Sequence, residues 1–373
     1  MIKEYTSLGL MSGTSGDGVD ASLILSDGDT KYEVIKEKYF EYDQEIYRKI
    51  HKVKEKIQNP KDLEKFITEI KEIERKITLF HAKVIKEVEA KKIDLIGFHG
   101  QTIFHSPKDK ISKQLGDGML LSQLTKQKIV CNFRSNDIKN GGEGAPLTPI
   151  FHFLIAKQYE LDLPVCILNI GGISNVTFIT EPINKLSLIS KDTGPGNCLI
   201  DKWLRKNSKK KFDEDGQLAA RGNINEIILE QAQELFSHRK NQKNLSFDTE
   251  DFDISFARGL SLEDGAATLT KFTSKIISSS LLQICSTKTP SPIKVIVCGG
   301  GRKNSTMIDQ IKKDVSKKLT IKNIDDYKIN GDFIESQAFA FLAIRAHLGL
   351  PISFPKTTGC TKPSVGGDII KFK

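Results

Sequence analysis

The sequence predicts an α/β protein of two related lobes, each a mixed sheet packed by helices, and three observations carry that expectation. A hairpin of strand, glycine-rich turn and strand opens the chain at "GLMSGTSGDGVDASLIL" (Gly9–Leu25), and a second of the same layout, "PVCILNIGGISNVTFIT", begins at Pro164. After each hairpin, strand-like and helix-like text alternates. With 373 residues the chain is long enough for two cores.

The first segment reads as an antiparallel meander of "TSLGLMSG", "VDASLILSDG" and "KYEVIKEKYFEY", joined by glycine turns. A charged stretch follows from Gln44 to Lys92, broken at Asn59-Pro60. Beyond the break, Leu63, Phe66, Ile70, Ile73, Ile77, Phe80, Val84 and Val88 recur at three- and four-residue steps. That spacing predicts one amphipathic helix with Lys and Glu outward. "IDLIGFHG" is a short buried strand, and turn-rich text continues to "QLGDG". From about Ile129 the pattern restarts with the strand "IVCNF", the glycine loop "NGGEGAP", the second hairpin, and "KLSLISKDTGPGN", a strand ending in a turn. "VIVCGGGRKN" is a strand running into a glycine loop, and "IESQAFAFLAIRAHLG" is a late helix. The expected division is residues 1–128 as an N-terminal lobe and 129–349 as a C-terminal lobe, the tail from about 350 to 373 packing back on the first.

Composition narrows the function classes. "MIKEYTSLGLMSG" has neither a long apolar core nor a small-residue cleavage site, so no signal peptide is read there. The longest apolar runs are strand-length, far below the roughly 20 residues that span a bilayer, so a soluble protein without a membrane partner is expected. Six cysteines lie far apart with no C-x-x-C pair, which points to buried thiols in a reducing cytoplasm. The net charge of +9 comes largely from lysines scattered over helix faces and from "RKNSKKKF" (Arg205–Phe212), which lacks interleaved aromatics. That run reads as a solvated loop; the charge attracts small anions rather than nucleic acid.

The chemistry gathers at the glycine clusters. Gly13–Asp20 has no lysine for a Walker loop and leads into strand rather than helix, unlike a dinucleotide fingerprint. Gly13, Gly16 and Gly18 leave backbone N–H groups and the Thr14 and Ser15 hydroxyls able to approach a phosphate. Asp17 and Asp20, flanking Val19, suit a phosphate accompanied by Mg²⁺, held through water. The same residues would also suit an exposed turn. Gly171, Gly172, Ser174 and Asn175 offer the second hairpin the same role, and two such hairpins facing each other would clasp a triphosphate. Gly299, Gly300 and Gly301, with Asn304 just beyond, end a buried strand where a base or ribose could lie flat. Other polar positions have two readings each. His99 and Gln101 line a pocket or sit satisfied in a core, and with His105 they lack the donors of a zinc site. Arg134 and Asp137 bind a ligand or pair with each other. Glu335 opens the late helix, where it would favour the dipole, and Asp192 is a turn residue or a base.

"GLMSGTSGDGVD", "GFHGQTIFH", "QLGDG", "NFRSNDIKNGGEGAPLTP", "LNIGGISNVTFI", "DTGPGN", "LEDGAATLT", "VCGGGRKN" and "ESQAFAFLAIR" occur in this order over nearly the whole chain. In them the sequence resembles the anhydro-N-acetylmuramic acid kinase family. The resemblance implies a two-lobed actin-like ATPase (ribonuclease H-like) fold with ATP and Mg²⁺ in the interlobe cleft. It implies that 1,6-anhydro-N-acetylmuramic acid, ATP and water give N-acetylmuramic acid 6-phosphate and ADP, in cytoplasmic murein recycling. It makes Asp192 the catalytic base, places Arg134 near the lactyl carboxylate, and puts Glu335 in the active site. Two departures stand out: Glu143 where the family usually has glutamine, and Leu245 and Thr249 where it has lysine and arginine. The rivals are a non-catalytic or chaperone-like ATP-binding protein of the same fold and an anhydro-sugar hydrolase, which would need two carboxylates flanking the bond. The oligomeric state stays open, a homodimer included.

Overall fold

The glycine turns close β1 (Tyr5–Ser12), β2 (Gly18–Ser26) and β3 (Tyr32–Glu41) into the antiparallel meander. The structure is a computed structural model and describes residues 3–180, 185–240, 246–285, 292–315 and 317–372. β4 (Leu95–Ser106) lies parallel to β1, and β5 (Ile111–Leu115) folds back on its far half. That pairing carries β4 to 12 residues, well past the short strand expected from "IDLIGFHG". β6 (Ile129–Cys131) adds parallel to β4, and the strand Asp368–Ile370 adds antiparallel to β6. The main strands stand in the order β3-β2-β1-β4-β6.

Asp43 starts helix Gln44–Lys56 by accepting the Ile46 N–H at 2.8 Å, the usual N-cap bond. Past Asn59-Pro60 the single expected helix is two, Pro60–Lys65 and Ile67–Glu87. Phe66, at φ −104° and ψ 21°, ends one and begins the other. Ile70, Ile73, Ile77 and Val84 of the longer helix are buried in the core of this sheet. Helix Ile334–His347 packs so closely that a Cβ on Gly9 would lie 1.9 Å from the Ser336 carbonyl oxygen. Residues Met1–Leu161, Asn184–Leu188 and Phe333–Lys373 make one compact unit. Segments 129–161 and 333–349, expected in the C-terminal lobe, belong here instead. The reason is physical: β6 is hydrogen-bonded into this sheet, and helix Ile334–His347 covers β1, β2 and β4.

The second unit, Asp162–Ile183 and Ile189–Asp332, repeats the plan. β7 (Val165–Ile170), β8 (Ile173–Ile179) and β9 (Ile189–Pro195) form a meander. β10 (Ile293–Cys298) lies parallel to β7 and β11 (Leu319–Asn323) parallel to β10, giving the order β9-β8-β7-β10-β11. Helices Cys198–Asn207 and Leu262–Ile284 cross where Gly265 leaves room for the Trp203 ring. All six cysteines are buried thiols. Among the described residues, no helix is long and apolar enough to cross a membrane.

Candidate active site

The β1–β2 turn is built by short local bonds. Ser12 Oγ donates to Gly18 O at 2.8 Å and shares a 2.6 Å bond with the Tyr42 hydroxyl. Gly16 takes φ +63°, where a side chain is strained, and its N–H donates to Gly13 O at 3.1 Å. Ser15 Oγ donates to Asp17 Oδ1 at 2.6 Å. The turn's glycines divide into two kinds. A Cβ on Gly13 would meet only Ser15 Oγ, at 3.7 Å, whereas one on Gly18 would lie 2.4 Å from Phe40 O and 2.6 Å from the Tyr39 ring. Gly13 keeps a surface open; Gly18 lets β3 close. The Val19 side chain is fully buried in the core of this sheet. Asp20 stands across from Tyr39 on the neighbouring strand. Burial raises the Tyr39 phenol above its ordinary pKa, and the charges of Asp17, Glu41 and Asp20 push it the same way.

His99 and Gln101 follow on β4. The ring of His99 shares Nδ1 with Gly100 O at 2.7 Å and accepts at Nε2 from Arg134 Nε and Nη2, at 3.3 and 3.1 Å. Burial, then the Arg134 charge, pushes its pKa down to about 3, so it stays neutral. His99 therefore orients Arg134. Arg134, half-buried, also donates from Nη1 to Gly144 O at 2.8 Å. Asp137, 1 % exposed, accepts from Gly144 N at 2.8 Å and Thr358 Oγ1 at 2.7 Å. It pins the "NGGEGAP" loop from inside and is not presented to a ligand. Half-buried Glu143 lies in that loop, its N–H donating to Thr358 O at 2.8 Å. His105 shares a 3.0 Å bond with Ser112 across β4 and β5. Glu335 lies half-buried in the first turn of helix Ile334–His347.

In the second unit the β7–β8 tip is open at Gly171, where a Cβ would come only to 3.4 Å from Ile173 O. The carbonyls of Gly171 and Gly172 are turned inward. Asn197 N–H donates to the first at 2.8 Å, and Gly196 and Cys198 N–H to the second at 2.9 and 3.2 Å. Ser174 differs from expectation. It is fully buried, and its hydroxyl is taken up by Thr193 Oγ1 at 2.6 Å and Pro195 O at 3.0 Å, inside the sheet. Beside it a bulge shifts the β8–β9 register and sets Asn175 opposite Asp192. Asp192 is half-buried, and its Oδ2 accepts the Phe247 N–H at 2.8 Å. Leu245 and Thr249, the two departures from the family's basic residues, belong to the same segment as Phe247. Leu245 lies outside the described residues, and Thr249 starts a short 3₁₀ turn, Thr249–Asp251.

The loop after β10 is braced by a buried arginine that sequence reasoning did not single out. Arg302 pairs with Asp325 at 2.9 Å and Asp332 at 2.5 Å, and Nη1 donates to Gly299 O at 3.1 Å. Gly299 has φ +78° and Gly301 would clash with Ile170, but Gly300 is open, with nothing within 4 Å of a Cβ. Asn304 is 6 % exposed, and its Oδ1 accepts Met307 N–H at 2.9 Å. It caps helix Ser305–Val315. In each of the three glycine clusters one glycine thus keeps open surface: Gly13, Gly171 and Gly300. Arg302 lies in charged text, where nothing in the sequence marks a side chain that folds inward.

Two sheets of one strand order, each opening on a glycine-tipped hairpin, define an ATPase fold of the actin and hexokinase type. Residues 5–371 match the anhydro-N-acetylmuramic acid kinase family, and the chain belongs to it. The anhydro-N-acetylmuramic acid kinase of Pelagibacter ubique (strain HTCC1062) is 54 % identical over 374 residues, covering 100 % of both chains. That of Zymomonas mobilis subsp. mobilis is 39 % identical, covering 97 % of this chain and 99 % of its own. The hexokinase of Schistosoma mansoni complexed with glucose aligns over 91 % of this chain and 85 % of that one, at 10 % identity and TM-score 0.41. So distant a likeness bears on neither site nor activity.

Proposed function

We propose that this kinase opens 1,6-anhydro-N-acetylmuramic acid with water and phosphorylates O6 from ATP, yielding N-acetylmuramic acid 6-phosphate and ADP in murein recycling. The anhydro sugar has no free 6-hydroxyl, because O6 is bonded to C1. A base must therefore act on water. Asp192 takes one proton, the water oxygen bonds C1 as C1–O6 breaks, and O6 accepts the γ-phosphoryl group as ADP leaves. Base catalysis of this kind typically supplies about 10²–10⁴-fold, with positioning and charge stabilisation supplying the rest. The carrying observation is the Asp192 carboxylate, half-buried on a bulged strand and held at one oxygen by the Phe247 N–H.

In the first unit the open tip at Gly13 offers backbone donors to a phosphate; in the second the open tip at Gly171 offers the same, and the surface at Gly300 suits a nucleoside. Arg134, aimed by neutral His99, meets the lactyl carboxylate, with Glu335 nearby in the substrate site. Asp17 and Asp20 each offer carboxylate oxygens, a chemistry that suits Mg²⁺, held through water, better than a softer ion. Bound there, Mg²⁺ would neutralise phosphate charge. A cytoplasmic site of action accords with ATP as co-substrate and with the buried thiols.

Release of ADP should require the anhydro sugar and not follow from free N-acetylmuramic acid. In ¹⁸O-labelled water the label should enter at C1 and be absent from the phosphate ester. Label in the ester, or ADP formed equally from the free sugar, would overturn the reading.

A further inference from the structure

Helix Gln44–Lys56 and β4 meet beneath the first tip. Lys54, only 8 % exposed, donates from Nζ to Thr14 O at 3.2 Å. Gln101, fully buried, donates from Nε2 to Gly13 O at 2.9 Å. In a trans peptide the C=O and the N–H of one plane point in opposite directions, and neither peptide bond here is cis. Pulling the Gly13 carbonyl inward therefore turns the Thr14 N–H outward. Pulling the Thr14 carbonyl inward does the same for the Ser15 N–H. The Gly13 carbonyl is fixed a second time by the Gly16 N–H. Gln101 shows the cost of this arrangement: its Oε1 is buried with no hydrogen-bond partner in the protein. A half-satisfied buried amide is unfavourable, and what offsets that cost is its donor end, which bonds Gly13 O and, at 3.3 Å, Thr102 O.

We propose that Lys54 and Gln101 are positioning residues that fix the Thr14 and Ser15 amides as adjacent donors for the phosphate chain of a nucleoside triphosphate. This rests on the reading of Gly13–Asp17 as a phosphate tip. Preset donors lose no reorganisation energy when charge arrives, and the Lys54 ammonium adds positive charge beneath them. The β7–β8 tip reaches the same arrangement without side chains, because the N–H groups of Gly196, Asn197 and Cys198 hold its carbonyls inward.

Calorimetric affinities for ATP, ADP and adenosine test this in folded wild type, Lys54→Met, Lys54→Arg, Gln101→Leu, Gln101→Met and Gly13→Val. Lys54→Met and Gln101→Leu should each weaken ATP and ADP about tenfold, the scale of a lost hydrogen bond to a charged group. Adenosine affinity should not change, and Lys54→Arg should recover most of the loss. Should Gln101→Leu fail to fold, Gln101→Met, neutral, unbranched and of similar length, lacks the donor and reads the same quantity. Wild-type ATP affinity in Lys54→Met and Gln101→Leu, with ATP binding lost in Gly13→Val, would overturn the brace and leave the tip in place. An equal loss for adenosine would reduce both residues to general structural support. Undiminished ATP binding in Gly13→Val would remove the tip itself.

Discussion

The two units have one strand order but hold their hairpin tips by different means. In the first, the tip carbonyls rest on the side chains of Lys54 and Gln101. In the second they rest on backbone N–H groups at the start of helix Cys198–Asn207. A repeated fold thus repeats its backbone without repeating its chemistry. The second tip inherits its orientation from main chain that any sequence supplies, whereas the first depends on two particular residues. The units also divide their acid–base groups. Asp192 belongs to the second, while the neutral, buried histidines belong to the first.

The glycines sharpen the comparison most strongly. Gly18→Val and Gly301→Val would drive a side chain into Phe40 and Ile170 respectively. Each should cost about 3 kcal/mol or more and leave little folded protein. Gly13→Val and Gly171→Val meet no such obstacle and should melt within a few degrees of wild type while losing ATP binding. Thermal melting beside nucleotide calorimetry reads both. A Gly18→Val protein with wild-type stability would erase the distinction between packing and ligand glycines.

Acid should loosen the first unit before the second. Burial pushes His81 down to about 4, and His99, His105 and His152 down to about 3. All four lie in the first unit, whereas the second has His238 alone. In the unfolded chain each takes a proton near its ordinary pKa of 6.5. Below that pH the unfolded state binds more protons, so stability falls as pH falls from about 6.5 towards 4. Each histidine contributes roughly 1.4 kcal/mol per pH unit in that window. Limited proteolysis between pH 6.5 and 4.5 should release fragments of residues 3–161 first. Stability independent of pH across that range would contradict the buried, neutral assignment.

The smallest effect concerns the loop after β10. Asn304→Ala removes an N-cap and should cost about 1 kcal/mol in urea unfolding, with ATP affinity unchanged. A loss of affinity without loss of stability would return Asn304 to the nucleotide site.

The two meanders were legible because strand period and glycine turns are local signals, and their glycine tips were legible for the same reason. Long-range pairing was not. Three apolar residues, Ile129–Cys131, do not say which sheet they join, so the boundary was drawn on the wrong side of β6. Phe66 breaks a helix with neither glycine nor proline to mark it. Ser174 and Asp137 have the residue types of a binding site, yet their polar atoms are used up inside the protein, which only the tertiary neighbours reveal. Lys54 sits among the lysines of a charged helix, and nothing in its sequence neighbourhood marks it as the one that turns inward.

The proposed reaction turns on Asp192 activating water for ring opening coupled to phosphoryl transfer. Asp192→Asn keeps the shape and an oxygen for the Phe247 N–H while removing the base. Turnover, followed as ADP release with the anhydro sugar, should fall on the order of 10²-fold or more with ATP and sugar affinity nearly unchanged. Neither a hydrolysed sugar nor a phosphorylated anhydro sugar should accumulate. Full turnover in a folded Asp192→Asn enzyme, or ring opening that continues without phosphorylation, would contradict the account.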